Sequence, residues 1–342
     1  MRAFITGVSG PALTDEERRF LEDAQPWGLI VFKRNIEGPD ALRRLVGDFR
    51  AAVGRFAPVL VDQEGGRIQR LGSPHWPSYP PGAAYGALYD RDHAAGLAAA
   101  RLGARLIAAD LVALGIDVDC APIADVPVAG ADPVVGDRAY GTEPDKVAAI
   151  AGAIATGLVE GGVLPVLKHI PGHGRAGADS HKRLPVVTTD RATLEATDFA
   201  AFRPLAGLPL AMTAHVVFSA VDPVAPATTS ATIVRDVIRD SIGFRGLLMT
   251  DDLSMGALSG SLGERTRAAI AAGCDMALHC NGGMREMLAV AAAAPELAGE
   301  AGHRAAAALA MRKPAAPIDL AASRAEFLKR MAGDWQPAQG MA

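Results

Sequence analysis

The stretch VLPVLKHIPGHGRAGADSH, residues 163–181, is the part of this sequence that decides its fold class. Its first five residues are apolar and predict a buried strand, whereas the residues from Lys168 onward predict a loop at the carboxyl end of that strand. The loop carries one lysine, one aspartate and three histidines among mostly small residues. Titratable side chains that cluster at a strand end are typical of a functional site on a parallel sheet.

Asp179 and His181 are the candidates for proton transfer in this loop. They are two residues apart, so a carboxylate oxygen can accept a hydrogen bond from a ring nitrogen, which orients the imidazole and stabilises its cationic form. Histidine also titrates near neutral pH. Because glycine recurs in the segment 172–180, we expect this segment to be mobile without substrate and to close over it.

The same arrangement recurs along the chain, where short apolar runs alternate with helical patterns. About eight strand candidates, with no linker and no glycine-rich dinucleotide motif after the first strand, favour a single-domain α/β fold of the (β/α)8 TIM-barrel type over a doubly wound sheet. Active sites of such barrels lie at the carboxyl ends of the strands. Five apolar runs end there in ionisable residues, namely Asp62, Asp125, Lys168, His215 and Asp251.

The barrel is predicted to occupy residues 1–333, with helices at its C-terminal end, and to be followed by an irregular tail over residues 334–342. A proline-rich loop is expected over residues 72–86. One long helix is expected over residues 93–114 and another over residues 191–205.

Asp251 is the strongest candidate for a nucleophile. It lies at a strand end between Met249 and Leu253, which are expected to bury it and hold it rigidly. The alternative is that it caps the following turn, but Asp252 is the better candidate for that role.

The segment DQEGGRIQRL, residues 62–71, predicts a clamp for a polyol or a sugar. Asp62 can accept hydroxyl protons, and Arg67 or Arg70 can donate to ring oxygens or carbonyls. The alternative is a helix start with solvated arginines.

Two further residues remain ambiguous from the sequence. Arg138, in a loop rich in glycine and proline, fits a ligand-binding role or an ion pair with Asp132 or Asp137. His215 fits either the lining of a site or a hydrogen-bonded core position.

The composition argues against several classes of partner. The chain has 34 basic and 38 acidic residues and no basic cluster, so no nucleic-acid partner is expected. Three cysteines without paired spacing suit a reducing compartment. No apolar run reaches membrane-spanning length, and the N-terminus is too interrupted for a secretory signal. We therefore expect a cytoplasmic protein without a membrane partner, and its oligomeric state stays open.

Four motifs in order resemble the β-N-acetylglucosaminidases of glycoside hydrolase family 3, in particular the single-domain bacterial branch of peptidoglycan recycling. They are DQEGGRIQRL, GDRAYG, KHIPGHG with the later DSH, and MTDDLSM. The resemblance runs from the first strand to about Asn281. It implies a retaining exo-enzyme, without metal or cofactor, that releases terminal N-acetylglucosamine from muropeptides of the GlcNAc-β-1,4-anhydroMurNAc type.

The resemblance also implies roles for individual residues. Asp251 matches the family's nucleophile, and His181 matches its general acid/base, with Asp179 as the partner of the imidazole. Two departures are mild: Ile170 stands where Phe is usual, and residues 175–178 form this chain's own spacer. The residues that match the sugar-binding positions are Asp62, Arg70, Arg138, Lys168 and His169.

Other chemistries remain open at this point. A metal-dependent barrel hydrolase would use His169, His173, Asp179 and His181 as ligands, although they lie in one short segment. Phosphate could replace water as the acceptor of the sugar. The substrate's own acetamido group could replace Asp251 as the nucleophile. A sugar-binding protein without activity is disfavoured because both predicted catalytic residues are present.

Overall fold

The computed structural model describes residues 1–337, and the last five residues of the predicted tail lie outside the described part of the chain. Eight parallel strands form a closed barrel in which each strand pairs with its neighbours in chain order and the last pairs with the first. The predicted fold class is confirmed. The strands are β1 (Arg2–Thr6), β2 (Pro26–Val31), β3 (Val59–Val61), β4 (Val118–Asp119), β5 (Leu164–Ile170), β6 (Leu210–Thr213), β7 (Leu247–Asp252) and β8 (Met276–His279).

Helices connect the strands, as the alternating sequence pattern predicts. A π-helical segment, Ile233–Ser241, precedes β7, and short 3-10 turns occupy Lys33–Asn35, Gly136–Arg138, Arg203–Leu205 and Ala227–Thr229. The α-helices are α1 (Asp15–Ala24), α2 (Pro39–Val53), α3 (Gly82–Arg91), α4 (His93–Val112), α5 (Pro144–Glu160), α6 (Arg191–Ala196), α7 (Leu262–Ala272), α8 (Met284–Ala293), α9 (Gly299–Ala310) and α10 (Leu320–Met331).

Alternation along the strands divides the buried residues into two clusters. Ile5, Ile30 and Leu60 belong to a cluster that draws on all eight strands and fills the barrel. Their neighbours Phe4 and Leu29 belong to a larger cluster that includes residues of the surrounding helices. The two layers together hold the strand ends, and therefore the polar residues on them, in fixed positions.

Strand β5 is longer than predicted, so Lys168 and His169 lie in the strand rather than in the loop that follows it. The backbone N–H of Lys168 donates to the carbonyl of Pro122 (3.0 Å), and its own carbonyl accepts from Ala124 (2.7 Å). The apolar run ends at residue 167, but backbone pairing with the segment after β4 extends β5 to Ile170.

Two expectations about helices are wrong. Residues 72–86 are not one loop, because α3 begins at Gly82. The helix expected over residues 191–205 ends at Ala196, since Thr197 leaves helical geometry (φ −123°, ψ −81°) and its hydroxyl donates to the carbonyl of Thr193 (2.7 Å).

The C-terminal helices pack on the barrel's outer helices. The ring of Phe327 on α10 lies 6.2 Å from that of Tyr79 and 6.4 Å from those of Tyr85 and Trp335, centre to centre. Trp335 belongs to the predicted tail, and its backbone N–H donates to the carbonyl of Met331 (3.0 Å). Within residues 1–337, no helix is both long enough and apolar enough to cross a bilayer.

Candidate active site

The eight residues implied by the resemblance lie at one end of the barrel. Lys168 and His169 are in β5, and Asp251 is at the end of β7. The other five lie in the connections after β3, β4 and β5, and they are Asp62, Arg70, Arg138, Asp179 and His181. This is the end where the chemistry of such barrels is located.

Asp62 is held between two cations. Its carboxylate accepts a hydrogen bond from Lys168 Nζ (2.9 Å) and another from Arg70 Nη2 (2.8 Å). Burial would raise the pKa of Asp62, but Lys168 and Arg70 lower it well below its usual range. The two cations therefore keep Asp62 ionised, and an ionised carboxylate can accept hydrogen bonds from sugar hydroxyl groups.

Glu64 is a member of this cluster that the sequence reasoning did not single out. Its carboxylate accepts from Arg138 through both Nε (2.9 Å) and Nη2 (2.8 Å), and it lies 2.6 Å from Lys168 Nζ. The alternative of an ion pair between Arg138 and Asp132 or Asp137 is therefore wrong, and Asp137 instead pairs with Arg67 (3.0 Å). The missed signal is the spacing of Asp62 and Glu64, since residues two apart in an extended segment share a face.

The charges of the cluster stabilise one another. Burial alone would lower the pKa of Lys168, but Asp62 and Glu64 raise it above its usual value. Burial would also lower the pKa of Arg138, but the charge and hydrogen bonds of Glu64 have the larger effect and raise it. Both cations are thus charged at any working pH.

A tight hairpin, rather than the start of a helix, follows Asp62. Gln63–Gly65 pairs antiparallel with Ile68–Gln69, and Gly65 and Gly66 supply the positive φ values of the turn (98° and 55°). The side-chain oxygen of Gln63 accepts from the backbone N–H of Arg70 (3.0 Å), which fixes the arginine opposite Asp62.

Asp125 orients His169. One carboxylate oxygen lies 2.7 Å from Nδ1 of His169, and the other accepts from the backbone N–H of His173 (2.6 Å). Burial would raise the pKa of Asp125, but the two histidines lower it to about 2. Since Nδ1 of His169 is occupied by Asp125, Nε2 is the ring nitrogen available to a ligand.

Asp251 is half-buried, and its Oδ1 accepts from the backbone N–H of Asp252 (2.7 Å). Burial raises the pKa of Asp251, but His215, His169 and this N–H lower it more, so it falls below its usual value. A carboxylate that stays ionised at a rigid strand end is suited to nucleophilic attack.

Asp252 and His215 have structural partners beside Asp251. Asp252 accepts from the backbone N–H (3.0 Å) and the hydroxyl (2.6 Å) of Ser254, as expected of a turn cap. His215 is fully buried, with Nδ1 2.7 Å from Thr228 Oγ1 and Nε2 3.0 Å from the carbonyl oxygen of Asp252. Of the two possibilities for His215, the structure supports the hydrogen-bonded core position.

Asp179 and His181 form the predicted hydrogen bond. Nδ1 of His181 lies 2.8 Å from Asp179 Oδ1, and the backbone N–H of His181 donates to the same oxygen (3.0 Å). The imidazole is 64% exposed, so its Nε2 is open to solvent and to a ligand. Burial raises the pKa of Asp179, but the hydrogen bonds from His181 have the larger effect, so the pKa falls below its usual value. The carboxylate therefore stays ionised beside the ring.

A metal centre is not evident among residues 1–337, where no three or more His, Cys, Asp or Glu side chains are arranged to hold an ion. The histidines proposed as ligands already have protein partners. His169 is bonded to Asp125 and His181 to Asp179, while Nε2 of His173 lies 2.9 Å from Ser180 Oγ.

Comparison with known proteins places these residues in context. Residues 5–307 match the model of the glycosyl hydrolase family 3 N-terminal domain. The beta-hexosaminidase of Alkalilimnicola ehrlichii is 41% identical over 283 residues, which cover 81% of this chain and 80% of that protein. The beta-hexosaminidase of Aromatoleum aromaticum is 39% identical over 278 residues, 80% of this chain and 78% of that protein.

Solved structures agree with the barrel. NagZ from Neisseria gonorrhoeae, in complex with N-trifluoroacetyl-D-glucosamine, superposes with a TM-score of 0.84 at 30% sequence identity, and the match covers 97% of both chains. The family resemblance of the sequence motifs is thereby confirmed.

Proposed function

The chain belongs to glycosyl hydrolase family 3 and is a glycosidase, and from this premise we propose that it is a retaining exo-β-N-acetylglucosaminidase. The observation that carries the proposal is the arrangement at the barrel mouth. An ionised carboxylate, Asp251, and a separate hydrogen-bonded pair, Asp179 and His181, share it with a buried cluster of acids and cations. A retaining mechanism needs a nucleophile and a separate acid/base.

In the first step, Asp251 attacks the anomeric carbon and forms a covalent glycosyl–aspartate. Its lowered pKa keeps it in the nucleophilic form over the whole physiological range. The N–H of Asp252, which donates to Asp251 Oδ1, holds the carboxylate in one orientation during the attack.

His181 supplies and removes the proton. Its exposed Nε2 protonates the departing glycosidic oxygen and then takes a proton from the incoming water. Asp179 holds the ring through Nδ1 and stabilises the imidazolium when it forms. A histidine also brings less negative charge to the site than a second carboxylate, which lowers repulsion toward the glycosyl–aspartate intermediate.

The terminal sugar is held by Asp62, Arg70, Arg138, Lys168 and His169. Lys168 is only 3% exposed and Glu64 only 8%, so the charged cluster forms a closed wall. A sugar bound against this wall would be the last of its chain, and this supports the proposed exo action.

The proposed substrate is a peptidoglycan-derived muropeptide of the GlcNAc-β-1,4-anhydroMurNAc type, handled in the cytoplasm. Its support is the motif resemblance to the recycling branch, together with relatives named beta-hexosaminidase and a neighbour that binds an N-acylated glucosamine.

Water is the proposed acceptor, and phosphate is the alternative that the same geometry admits. An imidazole base repels an anionic acceptor less than a carboxylate does. Turnover in phosphate and in phosphate-free buffer distinguishes the two, because phosphorolysis yields a sugar 1-phosphate and hydrolysis the free sugar.

The function is tested by following the disaccharide GlcNAc-β-1,4-anhydroMurNAc with proton NMR. The proposal predicts release of N-acetylglucosamine whose first-formed anomer is β, before mutarotation. A first-formed α anomer would exclude the retaining mechanism, and absence of release from this disaccharide would exclude the substrate class.

A further inference from the structure

The end of β3 is held by a side chain of the neighbouring strand β4. The strand pairing between β3 and β4 ends at Val61 and Asp119. Beyond this point, Oδ1 of Asp119 accepts a hydrogen bond from the backbone N–H of Gln63 (3.0 Å). Asp119 is 0% exposed and Gln63 is 1% exposed, so water does not compete for this bond. The carboxyl group of Asp119 therefore fixes the chain at the point where it leaves β3.

Gln63 is the residue on which the sugar-binding cluster is centred. It lies between Asp62 and Glu64, so the position of its backbone sets the direction of both carboxylates. Its side-chain oxygen also accepts from the backbone N–H groups of Arg70 and Leu71 (3.0 Å each). A group that holds the backbone of Gln63 therefore holds two acids and one cation of the cluster.

Asp119 makes this bond as an uncharged acid. Its second oxygen, Oδ2, is buried and has no hydrogen-bond partner within residues 1–337. Burial raises the pKa of Asp119 well above its usual value, and Asp62 and Glu64 raise it further, whereas the N–H of Gln63 and the charge of Lys168 offset only part of this. The three cations of the cluster therefore face two carboxylates rather than three, and one positive charge remains in excess for the oxygen atoms of a sugar.

The opposite end of β3 carries the same type of bond. Oδ1 of Asp117 accepts from the backbone N–H of Val59 (2.7 Å), the first residue of the strand. Asp117 is 1% exposed, and its carboxylate lies 3.6 Å from Arg50 and 3.4 Å from Arg312. Chemistry in such barrels is located at the other end. Asp117 and Asp119 therefore hold the same strand in the same way, but only Asp119 does so beside the site.

We propose that Asp119 is a positioning residue for sugar binding, which fixes the direction of Asp62 toward the terminal sugar through the backbone N–H of Gln63. Glu64 and Arg70 depend on the same anchor. Asp119 acts as a hydrogen-bond acceptor and not through its charge. This role rests on the proposed function, in which Asp62 holds the terminal sugar.

The test replaces the acceptor with and without keeping its hydrogen bond. Asp119→Asn keeps an oxygen that can accept from the N–H, whereas Asp119→Leu has a similar size and no acceptor. Asp119→Ala removes the acceptor with less bulk and serves if the leucine variant does not fold. The matched controls are Asp117→Asn and Asp117→Leu. For each variant we would measure the melting temperature, kcat/KM for an aryl and an alkyl N-acetylglucosaminide, and the Kd of N-acetylglucosamine by titration calorimetry.

Loss of the acceptor should weaken sugar binding. Without it, the buried N–H of Gln63 turns toward another partner and displaces Asp62. We expect Asp119→Leu and Asp119→Ala to lower kcat/KM by roughly 10- to 100-fold and to raise the Kd of N-acetylglucosamine. The loss should be equal for the aryl and the alkyl substrate, because both share the sugar that is displaced.

The conservative variant and the controls should behave differently. Asp119→Asn should restore kcat/KM and Kd to within about threefold of the wild type, since the uncharged amide reproduces the uncharged acid. The Asp117 variants should melt at a lower temperature, but below it they should keep the kcat/KM and the Kd of the wild type.

Asp62→Ala is measured in parallel, alone and combined with Asp119→Leu. In the Asp62→Ala background, Asp119→Leu should cost less than it does in the wild type, because part of its effect passes through the missing carboxylate. Fully additive losses would show that Asp119 does not act through Asp62 and would overturn the proposal.

The remaining outcomes separate this role from the proposed function. If Asp62→Ala leaves kcat/KM and Kd unchanged, the proposed sugar contact of Asp62 is wrong. If Asp62→Ala impairs both while Asp119→Leu and Asp119→Ala do not, the function stands and the positioning role is overturned. An equal loss in Asp119→Asn would show that Asp119 acts through its charge, and an equal loss in Asp117→Leu would show a general effect on the barrel; either result contradicts the proposal.

Discussion

Glu64 is the side chain that holds two of the proposed sugar-binding cations in place. Its carboxylate pairs with Arg138 and Lys168 at the same time, and the nearby carboxylate of Asp62 pairs with Lys168 and Arg70. The positions of three cations therefore depend on two carboxylates only two residues apart.

Replacing Glu64 by Gln keeps the shape of the side chain but removes its charge. Arg138 and Lys168 then lose a shared counter-ion, and their contacts with sugar hydroxyls should weaken, lowering kcat/KM by roughly 10- to 100-fold. Steady-state kinetics on an aryl N-acetylglucosaminide measures this. The exposed Glu22→Gln serves as the control, and an unchanged kcat/KM for Glu64→Gln would show that the cations are held by other groups.

His173 makes the stability of the protein sensitive to acid. Burial lowers its pKa from the ordinary 6.5 to about 4, although Asp125 opposes the shift. Between these values the unfolded chain binds a proton that the folded protein does not, so stability falls as the pH decreases from 6.5 to 4.

The contribution of His173 to this loss is about 3 kcal/mol, which follows from the size of the shift. Thermal or urea unfolding at pH 6.5 and pH 4.5 should show a smaller drop for His173→Gln than for the wild type. His303→Gln, at an 81% exposed position, should leave the drop unchanged. An equal drop in His173→Gln would mean that other groups cause the acid sensitivity.

The sequence predicted the individual site residues but missed the side chains that hold them in place through hydrogen bonds and ion pairs. Asp251, Lys168 and the Asp179–His181 pair follow from the motifs. The spacing of Asp62 and Glu64 indicates only that the two side chains share a face. The partners of Glu64 and the role of Asp125 depend on which side chains the barrel brings together from β3, β4 and β5.

Helix α3 bears directly on the loop that contains Arg138. A β-carbon on Gly82, at the start of α3, would lie 2.0 Å from the backbone oxygen of Arg138. The absence of a side chain therefore allows the helix to support the arginine that Glu64 pairs with.

We expect Gly82→Ala to push the Arg138 backbone away and to lower kcat/KM, by up to about 100-fold if the displacement approaches 1 Å. Gly47→Ala on α2 is the control, since nothing lies within 4 Å of its β-carbon position. That variant should keep full activity and gain up to about 1 kcal/mol of stability. Full activity in Gly82→Ala would show that the Arg138 loop does not depend on α3.

The boundaries of helices and strands could be predicted where neighbouring residues decide them. They could not be predicted where contacts between distant residues decide them. Most strand cores match the apolar runs closely, but the run over residues 118–123 forms a strand only at Val118–Asp119. The start of α3 was missed because the prolines suggested a loop over the whole of residues 72–86, although Gly82 begins a helix and allows a helix–loop contact. The end of β5 was missed because it depends on pairing with residues 122–124.

The whole molecule joins a barrel to helices beyond the residues that match the family model, which end at 307. Phe327 on α10 is 3% exposed and packs among Tyr79, Tyr85 and Trp335. Arg324 of the same helix donates to buried Asp110 (2.7 Å). These contacts support the proposal that residues 1–333 fold as one unit.

Phe327→Ala should therefore destabilise the entire protein, by about 3–5 kcal/mol, because it opens a cavity in a shared core. Thermal unfolding followed by circular dichroism measures this, and kcat/KM below the transition should change little. Leu328→Ala, at a position 40% exposed, is the matched control. Equal stability of the two variants would mean that α10 is not part of the folding unit.

The fold class as a whole could be predicted because eight apolar runs alternate with helices over the entire chain. The sequence could not predict the contacts of the loop after β5, since the partners Asp198 and Ala257 are distant in sequence and come close only once the barrel closes.

The proposed mechanism requires a covalent bond between Asp251 and the sugar. It is tested most directly by incubating the protein with a 2-fluoro or 5-fluoro inactivator of the N-acetylglucosamine type and locating the adduct by peptide mass spectrometry. We expect one glycosyl group on Asp251 and no adduct with Asp251→Ala, whose turnover should fall by several orders of magnitude. An adduct on Asp252, or inhibition without any modified carboxylate, would contradict it.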